Sequence, residues 1–485
     1  MKKFLVALLL AFAGKVQAQT LMLTLADTGR AVTIDKNIYG QFAEHLGRSI
    51  YDGFYRNGKL RLDIAGALKA IQVPNLRWPG GCFADQYHWQ NGIGEAAKRP
   101  KTINTTWGMV TEDNSFGTKE YLELCQLIGC QPYIAGNVGT GSPQEMKDWV
   151  QYLNYGHPQV SLWGVGNESW GCGGNMTPEY YANLYNHFAA FLPNYPGSRL
   201  KKVISGANGD DYHWTQVMMR DIGPDNAYGL SLHYYTFPTG RWNPRGSATR
   251  FTEAEYAHTL AEALKIDTII AHHERIMDQY DPNKKLALLV DEWGVWTDVE
   301  PGTPGYAMYQ QNSLRDALIA ATTLNIFNNR ADRVRGANLA QTVNVIQSLI
   351  LTRGDQMLLT PTYWVFDLYK VHQDAKLLTL KVPQVNFISG KDTVQAVNAS
   401  ASKDKNGVTH ITLVNLSPKT IIPVTFAIKG TTVTGEILTS AKATDINTFE
   451  QPGNIKINPF TGATLTGGQL NATLPPLSVV LLTIP

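Results

Sequence analysis

The chain has 485 residues, 44% of them apolar, with 11 Trp and 22 Tyr. That length exceeds one ordinary domain and predicts a large unit with a smaller one beside it. A formal charge of +2 supplies no electrostatic footprint for nucleic acid or an acidic polymer as partner.

Residues 1–18 read as a secretory signal. Lys2 and Lys3 precede an apolar stretch from Phe4 to Ala13, and Val16-Gln17-Ala18 offers a cut before Gln19. The expectation is export, to the periplasm or the cell exterior. Losing the segment removes three lysines and leaves a net charge of −1. The stretch falls short of the about 20 apolar residues that span a bilayer, and no later segment comes near it, so no membrane span is expected in the mature chain. Residues 19–36 include LMLTLADTGRAVTI, a strand-like run expected to join a β-sandwich formed by the far end of the chain.

Residues 37–375 carry eight short apolar segments that read as buried parallel strands. They are IYGQFAEH (38–45), PNLRWPGG (74–81), QPYIAGNVG (131–139), SLWGVGNES (161–169), KVISGANG (202–209), YGLSLHYYT (228–236), LALLVDEWG (286–294) and RVRGANLAQ (333–341). Helix-period stretches lie among them: LRLDIAGALKAIQ, TKEYLELCQLIG, TPEYYANLYNHFAAFL and a long run from Phe251 to Tyr280. The alternation predicts an α/β fold, a (β/α)8 TIM barrel. The segments end in Glu44, Arg77, Asn137, Asn167 with Glu168, Asn208, His233 with Tyr235, Glu292, and Gln341. A packed barrel interior excludes such groups, whereas the catalytic rim at the strands' carboxyl ends collects them.

From residue 376 to 485 the pattern changes to apolar–polar alternation rich in Val, Thr and Ile, broken by turns such as Lys405-Asn406-Gly407. This predicts a C-terminal β-sandwich, jelly-roll-like, with LPPLSVVLLTIP as its closing strand.

Four cysteines, Cys82, Cys125, Cys130 and Cys172, allow three complete pairings, and spacing does not choose among them. Cys125 and Cys130 lie across a helix end; Cys82 and Cys172 both follow strands beside the rim. No CxxC or HxxxH spacing accompanies them, so no metal is expected. His272 and His273 sit among charges on a helix and read as solvated. Gly164-Val165-Gly166-Asn167-Glu168-Ser169 lacks the third glycine of a dinucleotide loop, so no organic cofactor is expected either.

Glu168 and Glu292 lie 124 residues apart, close to three βα units of about 40 residues each. Two carboxylates on one rim suit a retaining glycosidase, in which one attacks the anomeric carbon and the other protonates the departing oxygen and later activates water. That chemistry places the pair about 5–5.5 Å apart. The many aromatics suit sugar sites, where C–H faces stack on rings.

The motifs IYGQFAEHLGRSIYDG, RWPGGCFADQYHW, NTTWGMVTEDNSFG, VGNESWGCGGNMTPEYYA, GLSLHYYT and VDEWGVW, in this order, are similar to those of glycoside hydrolase family 51, the α-L-arabinofuranosidases. ANLAQTVNVIQ and LLTPTYWVFDLYKVHQDA extend the resemblance over essentially the whole mature chain. The resemblance implies Glu168 at strand four as acid/base and Glu292 at strand seven as nucleophile. It implies that Asn167 meets the sugar's 2-hydroxyl, that Glu44 binds furanose hydroxyls, and that His233 and Tyr235 belong to an S-x-H-x-Y pattern in which Tyr235 holds the nucleophile. Trp107 and Trp296 match aromatic walls. Cys82 stands where many members place a sugar-binding Asn, and Thr360 where better-known bacterial members place a pocket Gln. Arg77 is near enough in sequence pattern to pair with either Glu44 or Glu292.

The implied activity is exo-acting, retaining hydrolysis of terminal arabinofuranosyl groups from arabinoxylan, arabinan or arabino-oligosaccharides, without metal or cofactor. Rival readings are a β-xylosidase or endoglucanase on the same carboxylates, and a non-catalytic carbohydrate-binding protein. The family commonly forms hexamers or other homo-oligomers.

Overall fold

The eight apolar segments close into one sheet. In the computed structural model, which describes residues 20–27, 29, 32–156 and 159–485, the strands Gly40–Phe42, Asn75–Trp78, Gln131–Gly136, Leu162–Val165, Lys201–Asn208, Gly229–Thr236, Ala287–Val295 and Val334–Leu339 form a closed barrel in chain order. Every neighbouring pair is parallel, and the first strand bonds to both the second and the eighth. The seam at the first strand needs glycine. A Cβ on Gly40 would stand 2.6 Å from Asn75 Oδ1 and 2.7 Å from the Ala337 carbonyl oxygen. Asn338 Nδ2 stitches that seam, donating to the Gln41 carbonyl and to Asn75 Oδ1 at 2.7 Å each.

Inside the barrel, Tyr133, Leu162, Val203, Ala287 and Leu289 fill the amino-terminal half. The polar strand endings gather at the opposite, carboxyl-terminal rim, as the sequence pattern requires. The four expected helices occur as Leu62–Ala70, Thr118–Ile128, Pro178–Ala190 and Glu253–Tyr280. Thr252 and Glu255 cap the last of these reciprocally. Four further α-helices, Pro143–Asn154, Tyr212–Asp221, Leu314–Asn329 and Pro361–Tyr369, complete the outer ring. Among the described residues, no helix is long and apolar enough to cross a membrane.

The β-sandwich joins a seven-stranded and a four-stranded sheet. Leu21–Met22 pairs with Ile422–Ala427 in the smaller sheet, and Thr24–Ala26 pairs with Lys376–Lys381 in the larger. The closing strand, Ser478–Ile484, lies between Thr409–Asn415 and Thr434–Thr439. Leu413, Val424, Leu470, Val480 and Leu482 belong to its core. Helix Leu314–Asn329 packs between barrel and sandwich and is buried on every face. Several of its polar groups are paired internally: Asn325 Oδ1 accepts from Ser400 Oγ and Thr412 Oγ1 at 2.7 Å each, and Asn328 Oδ1 accepts from Tyr39 at 2.7 Å.

Candidate active site

The fourth strand stops at Val165, and the backbone turns sharply through Gly166 (φ 90°) and Glu168 (φ 42°). A left-handed glutamate is uncommon and costs about 1–3 kcal/mol, so neighbours must hold it. Its carbonyl oxygen accepts from the Gly171 amide at 2.7 Å and the Gly173 amide at 3.1 Å. Gly173 has no room for a side chain, since a Cβ would fall 1.8 Å from the Asn167 carbonyl oxygen. The turn thereby aims Glu168 into the rim pocket.

Glu292 projects from the seventh strand and is 4% exposed. Arg77 Nη1, from the second strand, donates to its Oε1 at 2.8 Å, and the Tyr235 hydroxyl donates to its Oε2 at 2.8 Å. Of the two partners that the sequence offered Arg77, the structure chooses Glu292. The same guanidinium reaches Asn167 Oδ1 at 2.5 Å, so one residue fixes two pocket groups. Asn167 Nδ2 is buried and has no partner within the protein, leaving a donor free for a ligand.

The two glutamates meet. One carboxylate oxygen of Glu168, one of Glu292 and a His233 ring nitrogen lie within 4.8 Å of one another. His233 Nδ1 stands 2.8 Å from Glu168 Oε1 and 3.5 Å from Glu292 Oε2. Burial opposes a charged imidazole, but Glu292, Asp291 and Glu168 outweigh it and raise His233 to about 10. Burial lifts Glu168 above the usual carboxylate range; the His233 hydrogen bond opposes that and the Glu292 charge adds to it.

Glu44 sits at the end of the first strand, 2% exposed. It accepts from the Phe83 amide (3.0 Å), Trp107 Nε1 (2.9 Å) and Gln341 Nε2 (2.9 Å). Burial, with the charge on Glu292, pushes its carboxyl up to about 7. Trp107 is thus tied to Glu44 through its indole N–H. Trp296, 7% exposed, packs edge-on against Tyr235 at 4.9 Å. Leu46, Trp296, Met308, Val345 and Ile346 form an apolar cluster there, with Trp107 packed against it. Cys82 is joined to Cys172, and their sulfurs lie 3.8 and 3.3 Å from Glu168 Oε2. Cys125 and Cys130 remain thiols. Thr360 lies away from these groups in its bonding: its hydroxyl donates to the Ser348 carbonyl, at the start of helix Pro361–Tyr369.

Two buried carboxylates escaped the sequence reading. Asp291 accepts from the Tyr133 hydroxyl at 2.6 Å and faces His233 Nε2 at 3.3 Å and Arg77 Nε at 3.7 Å. Burial would raise it, but Arg77, His233 and Tyr133 hold it below its ordinary value. Asp85 accepts from the amides of Val138 (2.7 Å), Gly139 (2.9 Å) and Asn167 (3.1 Å), tying the loops after strands two, three and four together.

Residues 67–157 match the family described as alpha-L-arabinofuranosidase 1 domain, and residues 291–478 match the alpha-L-arabinofuranosidase C-terminal domain. The chain is 47% identical to an intracellular exo-alpha-L-arabinofuranosidase of Bacteroides ovatus, covering 94% of each chain. The structure of a GH51 arabinofuranosidase from Xanthomonas axonopodis pv. citri superposes with a TM-score of 0.93 at 44% identity, over 96% of this chain and 100% of that one. An arabinose complex of the alpha-L-arabinofuranosidase from Thermotoga maritima gives a TM-score of 0.84 at 28% identity, with the same coverage of each chain.

The first relative corrects one expectation. Its name is intracellular, which overturns the export read from residues 1–18. Those residues lie outside the described part of the chain. A brief apolar run behind two lysines is a compositional cue, and it yields to similarity over nearly the full length.

Proposed function

The chain belongs to glycoside hydrolase family 51, the α-L-arabinofuranosidases, and from that premise we infer that it is a retaining, exo-acting hydrolase in which Glu292 is the nucleophile and Glu168 the acid/base. The substrates of this reading are terminal arabinofuranosyl groups on arabinoxylan, arabinan or arabino-oligosaccharides. One observation carries the mechanism: a Glu168 and a Glu292 oxygen come within 4.8 Å. An inverting pair stands about 6.5–9.5 Å apart to admit water between sugar and base, so the closer spacing favours double displacement.

In the first step, a Glu292 oxygen bonds to the anomeric carbon as the glycosidic C–O bond breaks. Glu168 gives its proton to the departing oxygen. Arg77 and Tyr235 hold the attacking carboxylate in line, while Asn167 Nδ2 is free to bond the 2-hydroxyl as positive charge develops on the ring. Forming the ester removes the Glu292 charge that helped raise the Glu168 pKa, so Glu168 now favours its ionised form. In the second step Glu168 takes a proton from water, the water oxygen bonds to the anomeric carbon, and Glu292 leaves as carboxylate.

Glu44, with Trp107 and Trp296, forms the floor and walls of the sugar pocket in this reading. Cys82 contributes a sulfur surface there. The relatives' names favour the arabinofuranoside over the xyloside and glucan readings of the same carboxylate pair. A proton NMR time course on an aryl α-L-arabinofuranoside tests the proposal. The α-anomer should appear first; initial release of the β-anomer overturns the double displacement.

A further inference from the structure

The loop that carries Glu168 is fastened by a covalent bond whose sulfurs touch the carboxylate itself. Cys82 follows the second strand and Cys172 the fourth, 90 residues on, with their Cα atoms 5.4 Å apart. Cys172 Sγ lies 3.3 Å and Cys82 Sγ 3.8 Å from Glu168 Oε2. Neither contact is a hydrogen bond, because a disulfide sulfur bears no hydrogen. The other oxygen, Oε1, faces His233 Nδ1 at 2.8 Å. Glu168 is therefore served by a donor on one side and by two proton-free sulfurs on the other.

We propose that the Cys82–Cys172 disulfide keeps the proton on Glu168: it sets two proton-free sulfurs against Oε2 and denies that oxygen any hydrogen-bond donor, so that reducing the bond lowers the share of Glu168 that holds its proton at neutral pH. This rests on the acid/base reading of Glu168 given above.

The chemistry of reduction is direct. Cys172 is exposed, so the thiolate of an external dithiol can attack its sulfur. The S–S bond breaks, Cys82 leaves as a thiolate and is protonated, and a mixed disulfide remains on Cys172. The second thiol of the reductant then displaces Cys172, which also takes a proton. Two electrons and two protons have passed to the protein, and the reductant departs as a disulfide. The protein now presents two S–H groups where it had none. A thiol donor beside a carboxylate favours the ionised form. The other charged and titratable groups facing Glu168, namely His233, Glu292, Arg77 and Tyr235, are unchanged by the reduction.

Weakened proton donation has a signature distinct from a loosened fold. It moves the basic limb of the pH profile, and it penalises leaving groups that need protonation while sparing those that do not. The test measures kcat/KM against pH on 4-nitrophenyl and on phenyl α-L-arabinofuranoside. It compares the oxidised enzyme, the dithiothreitol-reduced enzyme with thiols titrated, the Cys82→Ala/Cys172→Ala variant and the Cys82→Ser/Cys172→Ser variant. Reduction should lower the basic limb by about one pH unit and slow the phenyl substrate by about tenfold at neutral pH, leaving the 4-nitrophenyl substrate within about twofold. The Ser pair, which restores two donors, should follow the reduced enzyme. The Ala pair, which has none, should keep the oxidised basic limb. An unmoved limb on reduction, or equal shifts in the Ala and Ser pairs, overturns the inference. Should reduction not go to completion, the two variants decide alone; should a variant fail to fold, reduction of the native enzyme decides. Glu168→Ala separates the two layers of argument. If it retains the basic limb, the acid/base reading fails; if it abolishes the limb that reduction leaves unmoved, only the disulfide inference falls.

Discussion

His233 Nε2 lies 3.3 Å from Asp291 Oδ1, so the imidazole between the two candidate catalytic glutamates is backed by a third carboxylate. Asp291 is 1% exposed and sits one residue before Glu292. The arrangement keeps a cation beside two acids, because the imidazole's opposite nitrogen faces Glu168 and Glu292. In the proposed mechanism Asp291 would be a positioning residue, acting on the reaction through His233 and Arg77.

Asp291→Asn should lower the pKa of His233 and change the pH dependence of stability. His233 is raised in the folded protein to about 10, above its unfolded value of about 6.5. Its contribution to stability is therefore fully present below about pH 6.5 and is lost as pH rises through about 10. The Tm gap between wild type and Asp291→Asn should be widest near pH 6 and shrink toward pH 10. Thermal melts across that range check this, and a gap that is constant with pH contradicts the cation assignment.

Glu44→Gln should move stability and activity in opposite directions. Burial raises the Glu44 carboxyl to about 7 in the folded state, so its ionisation disfavours folding as pH rises from about 4.5 through 7. Removing that ionisable group should raise the variant's Tm relative to wild type progressively over the same window. Activity should fall, with KM rising about tenfold or more, since an amide oxygen is a weaker acceptor for sugar hydroxyls than a carboxylate. Paired melts and Michaelis–Menten kinetics read both effects. Unchanged KM contradicts the assignment of Glu44 to the sugar.

Arg77→Lys keeps the charge but loses the fork that spans Glu292 Oε1 at 2.8 Å and Asn167 Oδ1 at 2.5 Å. A single ammonium cannot hold both groups in register. The expected loss is about 100-fold in kcat, with KM changing much less, because misalignment of the attacking carboxylate is felt in the transition state. Steady-state kinetics with the variant's Tm as a folding control measures it. A loss confined to KM would assign Arg77 to ground-state binding instead.

The barrel was legible because each strand is a short apolar run that breaks into a polar group at the rim, and the structure closes all eight in chain order. Helix Leu314–Asn329 was not, because burial on every face removes the 3.6-residue period that marks a helix. Asp291 was hidden for a related reason. Alternation along a strand sends neighbouring residues to opposite faces, so a reader who sends Glu292 inward sends Asp291 outward. The pairing register shifts between Val290 and Trp293 on one side of that strand and between Ser231 and His233 in the neighbouring pair. Such irregularities re-aim side chains, and here both acids reach the pocket groups. The catalytic candidates themselves were readable from glycine and tryptophan around each glutamate. The choice of Cys82–Cys172 among the possible bridges was not, since it depends on the distance between two loops.

The roles of the paired glutamates are tested most directly by azide rescue with the product's configuration determined. In Glu168→Ala, azide should attack the ester on Glu292 and yield a glycosyl azide with the α configuration of the substrate. In Glu292→Ala, azide should take the place of the missing nucleophile and yield the β configuration. The opposite pairing of variant and configuration contradicts the assignment of Glu292 as nucleophile and Glu168 as acid/base.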